Sequence, residues 1–275
     1  RNHVLPQLGS LAVADVTATD VIKVLTPIWY SRPEMGKRAL MRISAVLEAA
    51  ILRGYRQLAN PCTGVARELG TGHRQVRHLR AVAFEQMPHV LAYIRSAHRT
   101  MPPTRACLLW CILTACRSGE ARGARWSEID RTERLWVVPP ERMKSRKPEH
   151  GPHRVPLSDQ AMVILEEAKE WRINDLIFPG VKGQELSDNT LSKVVRSGGF
   201  DATVHGFRST FKTWCADSGV PDEWSEVALA HVDGNTVRRA YRRTDFLDER
   251  RPLMRRWADV IEPASEPTPN EVQIS

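Results

Sequence analysis

From Lys37 to Arg53 the apolar positions Leu40, Ile43, Leu47 and Ile51 fall three or four residues apart. That is the stripe of an amphipathic helix, and Gly54 supplies a stop. Upstream, LAVADVTATDVIKVLTPIW sets Val21, Val24 and Leu25 on one face behind a cap at Thr19 or Asp20. Asn60-Pro61 breaks the pattern, and GTGHRQVRHLR reads as a linker. A second helical block spans about Gln86 to His98, with Pro102-Pro103 ending it. The segment Thr104 to Cys116 is apolar all round, as a buried helix is. The period then changes: RLWVVPPERMKSRKPEHGPHRVPLS has short extended runs between Pro and Gly turns, which predicts two or three antiparallel strands. Leu157-Ser158-Asp159 opens a helix through Glu170, and further helices are expected from Ser187, Gly206, Asp222 and Thr236.

The expected fold is therefore mainly α with a small antiparallel β-sheet, in two domains. Residues 1–75 form a helical domain and residues 76–262 a larger mixed one. Residues 263–275, rich in Pro, Ser and Glu, form a tail. The chain opens on Arg1 rather than Met, which suggests a piece of a longer protein.

Charge narrows the function classes. Forty Lys and Arg against thirty-two Asp and Glu leave a net +8, with a pI near 9.5. A polyanionic partner is favoured, nucleic acid or an anionic surface. No apolar run reaches the ~18 residues of a membrane span. Five cysteines without a C-x-x-C argue for reduced thiols in a cytosolic protein rather than for a zinc ribbon or a thioredoxin-type site.

Four stretches carry candidate chemistry. Arg117 follows the all-apolar helix and stands three residues before Glu120. The pair reads equally as a buried ion pair or as an acid holding a guanidinium toward a phosphate. His205 and Arg208, three apart, share the first turn of a helix whose buried face is Phe207, Phe211, Trp214 and Cys215. A helix start with a His and an Arg suits an anion. His231 precedes Asp233-Gly234, so it sits at a helix end, where it would also serve simply to satisfy the last carbonyls. Tyr241 lies between the pairs Arg238-Arg239 and Arg242-Arg243; the cations favour tyrosinate, and the plain alternative is a basic helix whose Tyr stacks. Lys37, Arg38 and Arg42 lie off the helical stripe, on a face that is either solvated or turned to DNA. Arg250-Arg251 and Arg255-Arg256 extend the basic character. Two Arg, two His and a late Tyr are together the donors and nucleophile of transfer at a phosphodiester.

In NPCTGVARE, TACRSGEARGARWSEID, RMKSRKPEHGPHRVPLS, HGFRSTF and LAHVDGNTVRRAY, in that order, the chain resembles the tyrosine recombinase family, in its phage-type integrase branch of prophages and genomic islands. DFLDERRPLMRRWAD is similar to the same branch. The resemblance implies a helical core-binding domain and a mixed catalytic domain that clamp a duplex between them. It implies that Arg117 and Arg208 hold the scissile phosphate, with Glu120 supporting the first. His205 would act in acid/base chemistry at the tyrosine, and His231 would hydrogen-bond a non-bridging oxygen. Tyr241 would attack to give a 3′-phosphotyrosine, and Lys144 would protonate the leaving 5′-oxygen, with Lys147 as its rival. His153 would either touch the phosphate or support the hairpin. Ala230 stands where the family often has Gly, and the family's arm-binding module has no counterpart in these residues. The DNA-binding residues expected are Lys37, Arg38, Arg42, Arg238, Arg239, Arg242 and Arg243.

No cofactor and no metal site are expected. The partners implied are double-stranded DNA attachment sites and further copies of the chain, four on two sites. An accessory DNA-bending protein or directionality factor is also implied, but no membrane. The implied location is the bacterial cytoplasm, at the nucleoid. A type IB topoisomerase would share the same residues and differ in relaxing DNA rather than exchanging strands. A non-catalytic DNA-binding regulator would bind without a covalent adduct, and a metal-dependent transposase would need an acidic cluster.

Overall fold

The protein, described by a computed structural model, is defined over residues 2–70, 81–144, 151–231 and 244–263. Its chain divides into two compact units, Arg1–Arg77 and His78–Ser275. Most of the expected linker, the loop with Lys147, the helix expected from Thr236 and nearly all of the tail lie outside the described residues.

The first unit contains α1 (Leu5–Leu8), α2 (Ala18–Trp29), α3 (Pro33–Leu52) and α4 (Val65–Glu68). The cap of α2 is Thr17, not Thr19 or Asp20. The Thr17 hydroxyl accepts from the Asp20 amide at 3.2 Å, while the Asp20 carboxylate accepts from the Thr17 amide at 2.9 Å. This reciprocal pair satisfies two donors that a helix start otherwise leaves open. Helix α3 begins at Pro33, whose missing N–H costs nothing at a first turn. Ile43 and Leu47 are buried on its inner face, and Leu40 and Ile51 are half-buried. Gly54, at φ +74°, ends it, and the Tyr55 amide closes back on the Ala50 carbonyl at 2.9 Å. Val21, Leu25, Ile28 and Trp29 meet Ile43, Leu47, Val65 and Leu69 in one core. Arg56 is buried there, its Nη1 donating to the carbonyls of Val13, Ala14 and Val16.

The second unit is built around α6 (Pro102–Leu113), preceded by α5 (Met87–Ser96) and followed by the short α7 (Ser118–Arg122). Pro102 and Pro103 open α6 rather than closing α5, because proline fits a first helical turn as readily as it blocks a last one. All ten residues from Pro103 to Leu113 other than Arg105 are buried, as their uniform apolarity predicted. Three antiparallel strands follow, β1 (Ile129–Asp130), β2 (Leu135–Val138) and β3 (His153–Pro156), in the order β1-β2-β3. Trp136 pairs with Ile129 on one side and with Val155 on the other. His153 is buried opposite Val138, so it belongs to the hairpin.

The remaining helices are α8 (Asp159–Glu167), α9 (Asp188–Ser197), α10 (Gly206–Asp217), α11 (Asp222–Ala228) and α12 (Leu247–Ile261). Trp257 of α12 is fully buried, donates to the Ile112 carbonyl at 3.0 Å, and packs its ring against Phe211 and Trp214. Arg250 is not part of a basic surface. It is 1% exposed and donates to the Asp245 and Arg154 carbonyls, both at 2.7 Å, and to the Asp245 carboxylate. Arg154 grips the same carboxylate through two donors at 2.9 and 2.7 Å. All five cysteines are buried free thiols, and burial pushes Cys215 up to about 12. No helix among the described residues is long and apolar enough to cross a membrane.

Candidate active site

Three chain turns converge in the second unit. The first is the end of α6, where Ala115 takes φ +50° and redirects the chain into Arg117 at the start of α7. The Glu120 carboxylate accepts from the Arg117 amide at 2.8 Å and from Arg117 Nη1 at 2.9 Å. Glu120 is buried, whereas the Arg117 side chain remains 26% exposed. The guanidinium is thus oriented from below and open on its outer side.

The second is the start of α10. The Thr203 hydroxyl accepts from the Gly206 amide at 2.9 Å, which sets His205 just ahead of the helix and Arg208 in its first turn. Arg208 is 4% exposed. Its Nη1 donates to the Ala115 carbonyl and its Nη2 to the Leu229 carbonyl at 2.5 Å. Neither partner carries a charge, so the guanidinium is held without being neutralised. Burial, and Arg117 beside it, push it below its ordinary value, but a guanidinium stays a cation in a protein.

The third is the end of α11. Ala230 takes φ +49°, its amide bonds the Val227 carbonyl at 2.9 Å, and the His231 amide bonds the Glu226 carbonyl at 3.0 Å. This Schellman turn normally carries Gly at its left-handed residue. The turn also aims the Ala230 carbonyl at Arg117 Nη2, 3.3 Å away. Two left-handed alanines therefore present main-chain carbonyls to the two arginines. Ala230→Gly is expected to raise the unfolding free energy by on the order of 0.5–1 kcal/mol, because glycine enters the left-handed region without the Cβ clash. The reading is a higher urea midpoint at unchanged slope. A lowered midpoint would show that the alanine methyl packs better than the backbone is strained.

His205 senses the whole group. Partial desolvation pushes its imidazole below its ordinary value, and the positive charges of Arg208, Arg117, His231 and Lys144 push the same way. At neutral pH the ring in the free protein is consequently uncharged and able to take a proton. Lys144 is exposed at the end of the described part of the β2–β3 connection. Arg142, two residues earlier, ties that connection to α7 by donating to the Glu120 carbonyl at 2.7 Å and to the Gly123 carbonyl, while its Nε lies 3.1 Å from Glu128. The structure thus gathers Arg117, Glu120, Lys144, His205, Arg208 and His231. Tyr241, Arg238, Arg239, Arg242 and Arg243 lie outside the described residues, and Lys37, Arg38 and Arg42 are exposed on α3 of the other unit.

Residues 80–247 match the Phage integrase family, and residues 1–66 match the Phage integrase central domain. The chain belongs to the phage integrase family. It is 33% identical over 267 residues to the prophage integrase IntA of Escherichia coli strain K12, covering 95% of this chain and 63% of that protein. It is 30% identical over 278 residues to the integrase of Enterobacteria phage P4, covering 94% of this chain and 62% of the relative. The chain thus spans about five-eighths of these relatives' length. Among solved structures it superposes on a lambda integrase dimer bound to a COC′ core site with a TM-score of 0.65 at 16% identity, covering 86% of each chain. It superposes on the Tn1549 transposon integrase in complex with circular intermediate DNA with a TM-score of 0.61 at 14% identity, covering 90% of this chain and 88% of the other. A mainly helical fold with one small antiparallel sheet is common ground with these neighbours.

Sequence reasoning missed the supports of the site in this integrase-family chain. Arg142 was one basic residue in a basic hairpin, and its buried acceptors 19 and 22 residues away leave no periodic signal. Glu226 precedes His231 by five residues, a spacing that does not share a face on a regular helix; only the reversal at Ala230 joins them.

Proposed function

We propose that the chain is the core of a site-specific DNA recombinase that integrates or excises a phage-derived element. The carrying observation is the pair Arg117 and Arg208, set side by side with Glu120 as the acid paired to the first and, among the described residues, main-chain carbonyls accepting from the second. Such a pair suits a phosphodiester, whose added negative charge in the transition state it would balance. In this reading His205 takes the proton of Tyr241. The phenolate oxygen attacks phosphorus, the bond to the 5′-oxygen breaks, and Lys144 donates a proton to that oxygen. A 3′-phosphotyrosine and a free 5′-hydroxyl result, and the reverse step rejoins DNA. One phosphoester bond forms for each that breaks, so the exchange needs no nucleotide hydrolysis, and the two guanidinium groups would supply the positive charge at the phosphate.

The exposed Lys37, Arg38 and Arg42 and the sequence cluster Arg238, Arg239, Arg242 and Arg243 would add phosphate contacts. Solved relatives include a lambda integrase tetramer bound to a Holliday junction. This supports four copies acting on two attachment sites here as well. An accessory DNA-bending protein or directionality factor, and residence at the nucleoid, belong to the same proposal. The deciding experiment uses a nicked suicide substrate carrying the element's attachment site, on which religation is blocked. A covalent protein–DNA adduct is expected, with the linked peptide mapping to residue 241. Tight binding without an adduct would favour a regulator, and relaxation of supercoils without strand exchange would favour a topoisomerase.

A further inference from the structure

We infer that Glu226 is a positioning residue that orients His231 for the phosphodiester, with Lys212 holding Glu226 in place. The inference deepens the recombinase reading and rests on it for its catalytic part. One Glu226 oxygen lies 2.9 Å from His231 Nδ1, and the other lies 2.5 Å from Lys212 Nζ. Lys212 in turn donates to Asp222 at 2.6 Å and to the Ser225 hydroxyl at 2.7 Å. Lys212 is one helical turn beyond Arg208 on α10, whereas Glu226 and His231 lie on and just after α11. The network therefore ties the element that carries the buried arginine to the one that carries the histidine.

A carboxylate at Nδ1 accepts a hydrogen bond, so the ring must carry its hydrogen there. Nε2 is then the ring's remaining position, with a lone pair in the neutral ring and a second N–H in the charged one. The adjacent carboxylate balances the charge of the doubly protonated ring, which can then donate Nε2–H to a non-bridging phosphoryl oxygen. Burial pushes the Glu226 carboxyl up, but hydrogen bonds from Lys212 and His231 outweigh it and keep the carboxyl below the usual range. The acid is ionised wherever the protein is folded near neutral pH. His231 itself is 42% exposed, and the Glu226 carboxylate is the partner placed at its Nδ1.

Two measurements test the inference. In ¹⁵N-histidine NMR at pH 8, His231 of the intact chain is expected to show a protonated Nδ1, and Glu226→Ala should return it to the Nε2–H form that free imidazole prefers. In single-turnover cleavage of the suicide substrate, Glu226→Ala should slow the reaction about ten-fold or more with DNA affinity unchanged. Glu226→Gln, which keeps the volume and an acceptor, should recover part of that loss. The double variant Glu226→Ala/His231→Ala should be no slower than His231→Ala alone, since a residue acting through another adds nothing once the other is gone. Multiplying losses, or an unchanged tautomer, would overturn the inference. Should Glu226→Ala fold poorly, Lys212→Met and Glu226→Gln carry the same cycle. If the wild-type chain forms no adduct, the recombinase reading falls, and the NMR arm still decides the Glu226–His231 pairing separately.

Discussion

Tyr241→Phe is expected to bind attachment-site DNA with nearly unchanged affinity and to form no covalent adduct at all. The substitution removes one oxygen, the proposed nucleophile, and leaves the arginines and the basic face untouched. Quantitative binding and trapping on the suicide substrate, run on the same preparation, separate the two outcomes. An adduct at wild-type yield would sink the assignment and turn attention to the other three tyrosines. Tyr30 donates its hydroxyl to the Leu69 carbonyl at 2.5 Å in the first unit. Tyr55 is exposed beyond the end of α3 in that same unit, and Tyr93 packs edge-on against Phe200.

Arg208→Ala should slow cleavage by roughly 10²–10³-fold, the scale of losing one preorganised donor to a developing negative charge. Arg208→Lys should recover little of it. The guanidinium reaches the Ala115 and Leu229 carbonyls with two separate nitrogens, which fixes the plane in which it faces the site. A single ammonium cannot satisfy both carbonyls and keep that plane. Because Arg208 is buried, thermal melting must accompany the kinetics, so that an unfolded variant is not read as an inactive one. Full cleavage activity of a folded Arg208→Lys would overturn the phosphate-holding role. Arg117, held by a carboxylate and more exposed, should show a loss of the same order as Ala.

Much of the molecule was legible before any coordinates. The stripe of α3 and the Phe207, Phe211, Trp214 and Cys215 face of α10 follow from periodicity, because burial on one side of a helix repeats every three or four residues, and the burial of α6 follows from its being apolar on every side. Gly54 marks the end of α3 at φ +74°, as its type suggested. The residues that the structure gathers, Arg117, Glu120, Lys144, His205, Arg208 and His231, were named from their types, spacing and family order.

Other features depend on partners far away in the chain. The start of α2 was missed because a capping box is decided by two side chains at once, and Thr17, Thr19 and Asp20 all have cap chemistry. The role of Pro102 was reversed because proline punctuates both ends of helices. Two-residue β1 lies before the run that suggested a sheet, too short to show a period. Arg250 looked like one more surface cation until Asp245 and Arg154 closed over it. The sequence by itself determined which faces are buried and which charged and polar residue types stand at the ends of α6 and α11 and the start of α10, since both are properties of single elements. Only the tertiary structure decided that the carbonyls of Ala115, Leu229 and Ala230 would orient the two arginines, and that Glu226 would meet His231. Those contacts join elements up to 113 residues apart, and their geometry comes from the packing of α6, α10 and α11, which no local pattern encodes.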